Sequence, residues 1–246
     1  MIPNILSTST IKGYGNGYLI KSNKSAMIQP MFPAANMAIR KSALQEVGGF
    51  DTICKTSGED NDICIRMLKS RWKLFYEPQA TVKHKHRTSL KGLLKQWYGY
   101  GSFHPYIFKK HTPKCLEIVY PRDTDMNDWT SRRFDRILGI KVPLHIMIFV
   151  TPFYFFHAFL LLLILSLVIK SPLLFALSLS GGLGVWLFSS GKAFWRSVII
   201  KQNFRWIPYA LIRYLLNGAF VFAAFKAGLK IGVIYFAVTR GQDIVE

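Results

Sequence analysis

The chain changes character near Pro143. Before it, apolar positions are interleaved with polar ones; after it, they come in long unbroken runs. In the first part, Ile63 and Met67, and Cys64 and Leu68, are spaced by four, which predicts a helix over Glu59 to Arg71. Acidic Glu59, Asp60 and Asp62 crowd its start and basic Lys69 and Arg71 its end, the polarity that complements a helix dipole. Ser42 caps a shorter helix running to Val47, with Glu46 inside it and Gly48-Gly49 as its terminating turn. Trp72–Tyr76 and Ala80–Lys85 have strand character, broken at Glu77-Pro78. Thr88 or Ser89 opens a further helix with Leu90, Leu93, Leu94 and Trp97 on one side, expected to stop near Gly99-Tyr100-Gly101. The first 30 residues, with Gly13, Gly15 and Gly17, look like a loop or frayed edge, and no convincing helix follows to make them a phosphate loop. Around Trp129–Leu138 two readings stand. One is an amphipathic helix on a bilayer with Arg132, Arg133 and Arg136 toward headgroups; the other is an ordinary surface helix.

The second part predicts membrane helices. Pro143–Ile169 is 27 residues without Lys, Arg, Asp or Glu, where about 20 suffice to span. Pro172 to about Ser189 is a second, shorter candidate. Ile207–Val238 is a third, longer than one straight span and interrupted by Arg213, Lys226 and Lys230. It reads as one helix that snorkels its charges, or as a span followed by an interfacial helix. Lys192, Arg196, Lys201 and Arg205 lie between the second and third runs, which predicts a cytoplasmic loop there and a cytoplasmic first part. The expected organisation is therefore residues 1–142 as a soluble α/β domain with an interfacial segment, and 143–246 as an all-α transmembrane region of about three helices. No secretory leader is expected, because Met1–Asn4 supply neither a basic nor an apolar start.

Charge strengthens the membrane reading. The chain carries 32 Lys and Arg against 13 Asp and Glu, a net charge of +19, and up to Lys141 there are 23 basic and 11 acidic residues. With so much apolar and aromatic surface beside it, this balance favours an anionic lipid face over nucleic acid. The three cysteines, Cys54, Cys64 and Cys115, form no CxxC pair, so neither a zinc site nor a disulfide framework is indicated.

The candidate chemistry lies between Asn36 and Gly101. In order come Ala35-Asn36-Met37-Ala38-Ile39-Arg40, Val47-Gly48-Gly49-Phe50-Asp51 and Gly58-Glu59-Asp60-Asn61-Asp62. After them come Val82-Lys83-His84, Arg87-Thr88-Ser89-Leu90, Gln96 and Tyr98-Gly99-Tyr100-Gly101. A carboxylate at a helix amino end, approached by glycine, is fixed in place and suits a general base; it equally suits a structural cap. The order and spacing resemble the acceptor-side half of the family 2 glycosyltransferases. That resemblance implies a partial GT-A fold and an inverting sugar transfer. It makes Asp60 the base and Glu59 its partner, and places Asn36, His84, Arg87 and Gln96 about the substrates. His84 and His86 are two apart on one face of a strand, a spacing that suits a metal pair, though strand-end histidines are more often ordinary surface groups. Asp62 fits helix-end structure. Gln96-Trp97 falls where processive members carry QxxRW, but the Arg-Trp pair is absent there, which argues against chain polymerisation.

The family's nucleotide-binding half, with a DxD motif that holds Mg or Mn on the donor diphosphate, has no counterpart before Asn36, where no acidic residue occurs. Asp123-Thr124-Asp125 has the spelling of a DxD but follows the base, and reads as a loop near the membrane. The resemblance thus implies a membrane-anchored enzyme fragment in the cell membrane. Its donor would be a sugar nucleotide or polyprenyl phosphate sugar, its acceptor lipid-linked or polysaccharide, and a separate chain would supply the missing half. The alternative is an inactive relic or membrane interaction subunit.

Overall fold

A computed structural model describes residues 9–11, 18–20, 34–54, 57–76, 80, 82–84, 87–121, 134–194 and 206–237. The chain divides into two compact units, one made of Met1–Phe149 with Leu216–Glu246, the other of Val150–Leu215. The first unit therefore leaves the sequence at Phe149 and resumes at Leu216. A boundary drawn at Pro143 from the apolar pattern falls inside its sheet.

In the first unit, β1 (Ser9–Ile11) pairs antiparallel with β4 (Val82–His84), and β2 (Tyr18–Ile20) with β3 (Leu74–Tyr76). The glycine-rich opening segment thus contributes strands. Each is three residues long, and its partner lies more than fifty positions away, so no local periodicity announces it. A short 3-10 turn (Ala34–Asn36) and α1 (Lys41–Glu46) lead to α2 (Glu59–Lys69). α1 is preceded by Arg40 as its N-cap, without a side-chain cap bond and two residues ahead of the expected Ser42 cap. α2 ends where Arg71 turns left-handed (φ 65°), and the Trp72 N–H donates back to the Met67 carbonyl at 2.9 Å. Its apolar face closes a small core in which Ala43, Ile63, Cys64, Met67 and Leu74 are buried.

α3 (Leu90–His111) is the long helix of this unit, capped by Ser89, whose Oγ accepts from the Gly92 N–H. It does not stop at Gly99–Gly101 but runs through those glycines and through Pro105. The reason is packing. A Cβ on Gly101 would lie 2.2 Å from the Phe220 carbonyl oxygen of α6 (Trp206–Ile231), so the two backbones touch where only glycine fits. Tertiary contact here overrides glycine's weak intrinsic preference against helix, about 1 kcal/mol.

A four-stranded mixed sheet follows, in the order β6-β5-β7-β8. β5 (Cys115–Pro121) and β6 (Phe134–Lys141) are antiparallel, while β5, β7 (His145–Phe149) and β8 (Val233–Phe236) run parallel. Residues 134–138, expected to be helical, are strand instead; 129–133 lie outside the described residues. The main core sits between this sheet, α3 and α6: Phe108, Val119, Met147, Phe220, Ala224 and Tyr235 are all fully or almost fully buried. Each large side chain removed from water there contributes about 1.5–3 kcal/mol.

The second unit is a helical hairpin plus the start of α6. α4 (Pro152–Val168) and α5 (Pro172–Phe194) meet at a turn in which Lys170 has a left-handed backbone. Gly181 lets them close up, since a Cβ there would sit 2.4 Å from the Phe159 ring. The hairpin's outer surface is apolar, with Leu161, Leu167, Val168 and Leu173 all exposed.

The three apolar runs after Pro143 each form a helix, α4, α5 and α6, but the first and third not over their full expected length. The first apolar run splits into strand β7 and helix α4, and the end of the third becomes β8 after Gly232. Among the described residues one stretch, Tyr214–Ile231, has the length and composition to cross a membrane, with shorter apolar helices at Tyr154–Val168 and Pro172–Val185. An all-α transmembrane region is thus not what the described residues display. Residues 195–205, which hold most of the expected basic loop, lie outside the described residues.

Candidate active site at the amino end of α2

Gly58 sets the approach to α2. Its backbone is left-handed (φ 87°), and a Cβ would come within 3.2 Å of Phe103 on α3, so both conformation and space call for glycine. One residue earlier, the Ser57 hydroxyl donates to the Gly99 carbonyl at 2.9 Å. These contacts hold the first turn of α2 against the middle of α3.

In that turn the Asp60 carboxylate accepts from the Asn61 N–H at 2.8 Å and from the Ala34 N–H of the 3-10 turn. Burial pushes its carboxyl up from the ordinary value, the neighbouring Glu59 charge adds to the rise, and the backbone N–H groups oppose it. Glu59 Oε2 is buried without a hydrogen-bond partner. The pair is thus a partly desolvated carboxylate site with spare acceptor capacity, the setting that suits a proton acceptor.

Gln96 and Arg87 belong to the same electrostatic neighbourhood. The Gln96 amide donates to the Tyr100 hydroxyl at 2.6 Å. Burial raises the Tyr100 phenol; the hydrogen bond from Gln96 lowers it, Asp60 and Glu59 raise it, and Arg87 lowers it. Asp60, Glu59, Gln96 and Arg87 therefore all act electrostatically on Tyr100, a motif residue for which the sequence suggests no role. The signal was available: Gln96 and Tyr100 are spaced by four and share a helix face once α3 is allowed to continue. Asn36 is placed differently. Its side-chain N–H donates to the Ala80 carbonyl at 2.7 Å, tying the 3-10 turn to the approach of β4. His84 lies in β4 opposite Ser9, its side chain outside the described residues along with His86 and Asp123–Asp125.

Asp62, two positions beyond Asp60, has the opposite surroundings. It is fully buried, and it accepts from His111 Nε2 at 2.7 Å, Lys110 Nζ at 2.7 Å and Arg66 Nε at 2.8 Å. Burial works to raise its carboxyl, but these three donors outweigh burial and hold it well below the usual range. Lys110 also reaches Asp51 at 2.6 Å, and Asp51 accepts from the Tyr106 hydroxyl at 2.7 Å and the Ile53 N–H at 2.9 Å; its carboxyl is lowered to about 2, first by Lys110. Arg66 further donates to the Val47 carbonyl. Asp62 is thus more than helix-end structure. With Asp51 it clamps α2 and the Gly48-Gly49 turn to the last turn of α3.

No group of three or more His, Cys, Asp or Glu among the described residues could hold a metal ion. Asp60 already takes backbone N–H donors and Asp62 three cationic or ring donors. Neither therefore presents the open oxygen cage a divalent ion requires.

A carboxylate pair at a helix amino end on an α/β frame, with the Gln96 amide and Tyr100 phenol of α3 nearby, is a site suited to proton transfer. The family model for glycosyl transferase family group 2 matches residues 14–225, and the chain belongs to that family. The mixed sheet with flanking helices fits a GT-A-like domain. The pre-mycofactocin glycosyltransferases of Mycobacterium tuberculosis strains CDC 1551 / Oshkosh and ATCC 25618 / H37Rv are each 38% identical over 87 residues. That stretch is 35% of this chain and 18% of each relative. No solved structure matches the chain.

Proposed function

We propose that this chain is the acceptor-side part of a membrane-anchored inverting glycosyltransferase, with Asp60 as the general base. The observation that supports this most is the state of Asp60: a carboxylate fixed by two backbone amides, partly desolvated, with its proton affinity raised by burial and by Glu59. The acceptor hydroxyl gives its proton to Asp60 as its oxygen bonds to the anomeric carbon from one face. The bond from that carbon to the donor's phosphate breaks on the opposite face, the phosphate leaves with the electron pair, and the anomeric configuration inverts. Glu59 keeps Asp60 basic. Gln96, Tyr100 and Arg87 line the approach of the substrates, with Arg87 suited to a donor phosphate. Asn36 holds the turn whose Ala34 N–H steadies Asp60.

The donor would be a sugar nucleotide or a polyprenyl phosphate sugar, and the acceptor a lipid-linked or polysaccharide hydroxyl. A divalent Mg or Mn would belong with the donor diphosphate, and a separate chain is one source of the nucleotide-binding half. The apolar hairpin of α4 and α5 would sit in the cell membrane, with the α/β unit on the cytoplasmic side.

Membranes from cells expressing the chain together with a chain that supplies the nucleotide-binding half, incubated with labelled donors of both kinds, Mn²⁺ and a polyprenyl lipid extract, test this directly. The expected result is a glycosylated lipid or polymer of inverted anomeric configuration that is absent from membranes carrying Asp60→Asn. Product of retained configuration, or equal product from the Asn variant, would sink the assignment.

A further inference from the structure

α6 is the stretch whose length and composition would take it across a bilayer, yet from Leu216 onward it is already occupied on one side. Leu216, Phe220, Ala223 and Ala224 are at most 4% exposed, and Phe220 meets α3 backbone to backbone at Gly101. Gly228 lies against the Val233 carbonyl in the same way. These residues recur at helical spacing and form the inner face. The opposite face is a second apolar stripe: Phe222 and Leu229, seven apart, are 61% and 59% exposed, and Phe225 leans over β8 onto the Phe236 ring at 5.5 Å. Lys226 and Lys230 flank that stripe on one shoulder, both exposed. Helices with one face in a protein core do not normally leave large aromatic and aliphatic side chains on the other.

We propose that the segment Phe222–Lys230 is an interfacial docking helix, not a span. Phe222, Phe225 and Leu229 enter the acyl boundary of an anionic membrane surface, and Lys226 and Lys230 contact its headgroups. Three observations select this occupant. A crossing helix would have to draw the α3 and sheet core into lipid with it. The stripe carries lysines on its shoulder, which an apolar protein partner would have to desolvate but which headgroups accept without cost. The chain as a whole carries +19, the complement of an anionic leaflet. The inference rests on the proposed membrane location of the enzyme but not on any catalytic assignment, and it adds that the α/β unit itself touches the bilayer.

The test uses the full chain reconstituted in vesicles of mixed phosphatidylcholine and phosphatidylglycerol. Nitroxide labels are placed singly at Phe222→Cys, Phe225→Cys and Leu229→Cys, with Leu161→Cys on the α4–α5 hairpin as a reference. The native cysteines are buried and serve as the unlabelled background. Depth is read from the ratio of oxygen to water-soluble relaxant accessibility. The expected result is one shallow depth for all three α6 labels, with the Lys226→Glu, Lys230→Glu double variant shifting them toward water and leaving Leu161→Cys unmoved. A steady depth change of about 10 Å from position 222 to 229, the axial rise of seven helical residues, would show a span and overturn the proposal. Full water exposure of the α6 labels, or short label-to-label distances between copies, would overturn it too. Water exposure confined to Leu161→Cys would defeat the hairpin's membrane placement alone, while shallow α6 labels would still support the docking helix.

Discussion

Asp60 and Asp62 stand two residues apart on the same helix turn, and their surroundings have driven them in opposite directions. Asp62 is surrounded by cationic and ring donors, and its charge is held firmly. Asp60 receives only backbone amides, sits beside a like charge and is lifted toward the neutral form. A helix advances about 100° per residue, so two positions rotate a side chain to nearly the far side. On one side α3's last turn supplies Lys110 and His111; on the other its middle supplies Tyr100 and Gln96. One acidic cluster is thus divided into a half held ionised by cationic partners and a half with raised proton affinity. Composition at the amino end of a helix says little until the facing element is known.

The sharpest break of this contrast is chemical. Replacing Asp60 by Asn keeps the amide contacts and removes the proton acceptor, so transfer should fall by about 10² to 10⁴ with the fold intact. Initial-rate assays beside a thermal melt of the same variant check it. A variant that kept its activity would place Asp60 with Asp62 as structure.

Next in size is the half held ionised. Asp62→Ala leaves Lys110 and Arg66 without their buried partner and should cost about 3–5 kcal/mol of stability, read from melts in detergent. The pH dependence has a definite sign. Asp51 and Asp62 have carboxyls lowered below the ordinary 3.8. The stability they contribute is fully present above that value and drains away as pH falls toward about 2, the value for Asp51. Asp60 runs the other way, because its raised carboxyl costs the fold as pH rises through the folded value and costs nothing below the unfolded one.

The smallest effect sharpens the mechanism of the rise. Glu59→Gln removes the like charge, so the acid limb of the kcat/KM profile should move to lower pH while the alkaline limb stays. No movement would assign the rise to burial alone.

The sequence announced α2 nearly residue for residue, because its charge polarity, its i, i+4 apolar pairs and the glycine before it all point one way. Four of its candidate residues, Glu59, Asp60, Arg87 and Gln96, act electrostatically on Tyr100. What it hid was set by partners distant in sequence. α3 appeared to end at Gly99–Gly101 because glycine's reason for being there, the Phe220 backbone, lies more than a hundred residues on. Tyr100 disappeared with the truncated helix. β5, β6 and β8 were obscured by a charged stretch and an apolar run whose periodicities fit helix as readily as strand. Asn36 is legible as a motif residue, but its bond to the Ala80 carbonyl depends on a turn the pattern does not encode.

The parallel pairing of β7 with β8 also has a consequence in time. His145 and Val233 are register partners 88 residues apart, and the hairpin and α6 are made between them. At a ribosomal pace of about 5–20 residues per second, the last strand reaches its place some 4–18 s after the strand it joins. During that interval β7 presents an open edge, and the α3 face that receives Phe220 is uncovered. The nascent chain must hold these surfaces apart from other chains while its apolar hairpin is being sorted, so assembly of the α/β unit waits for strand β8.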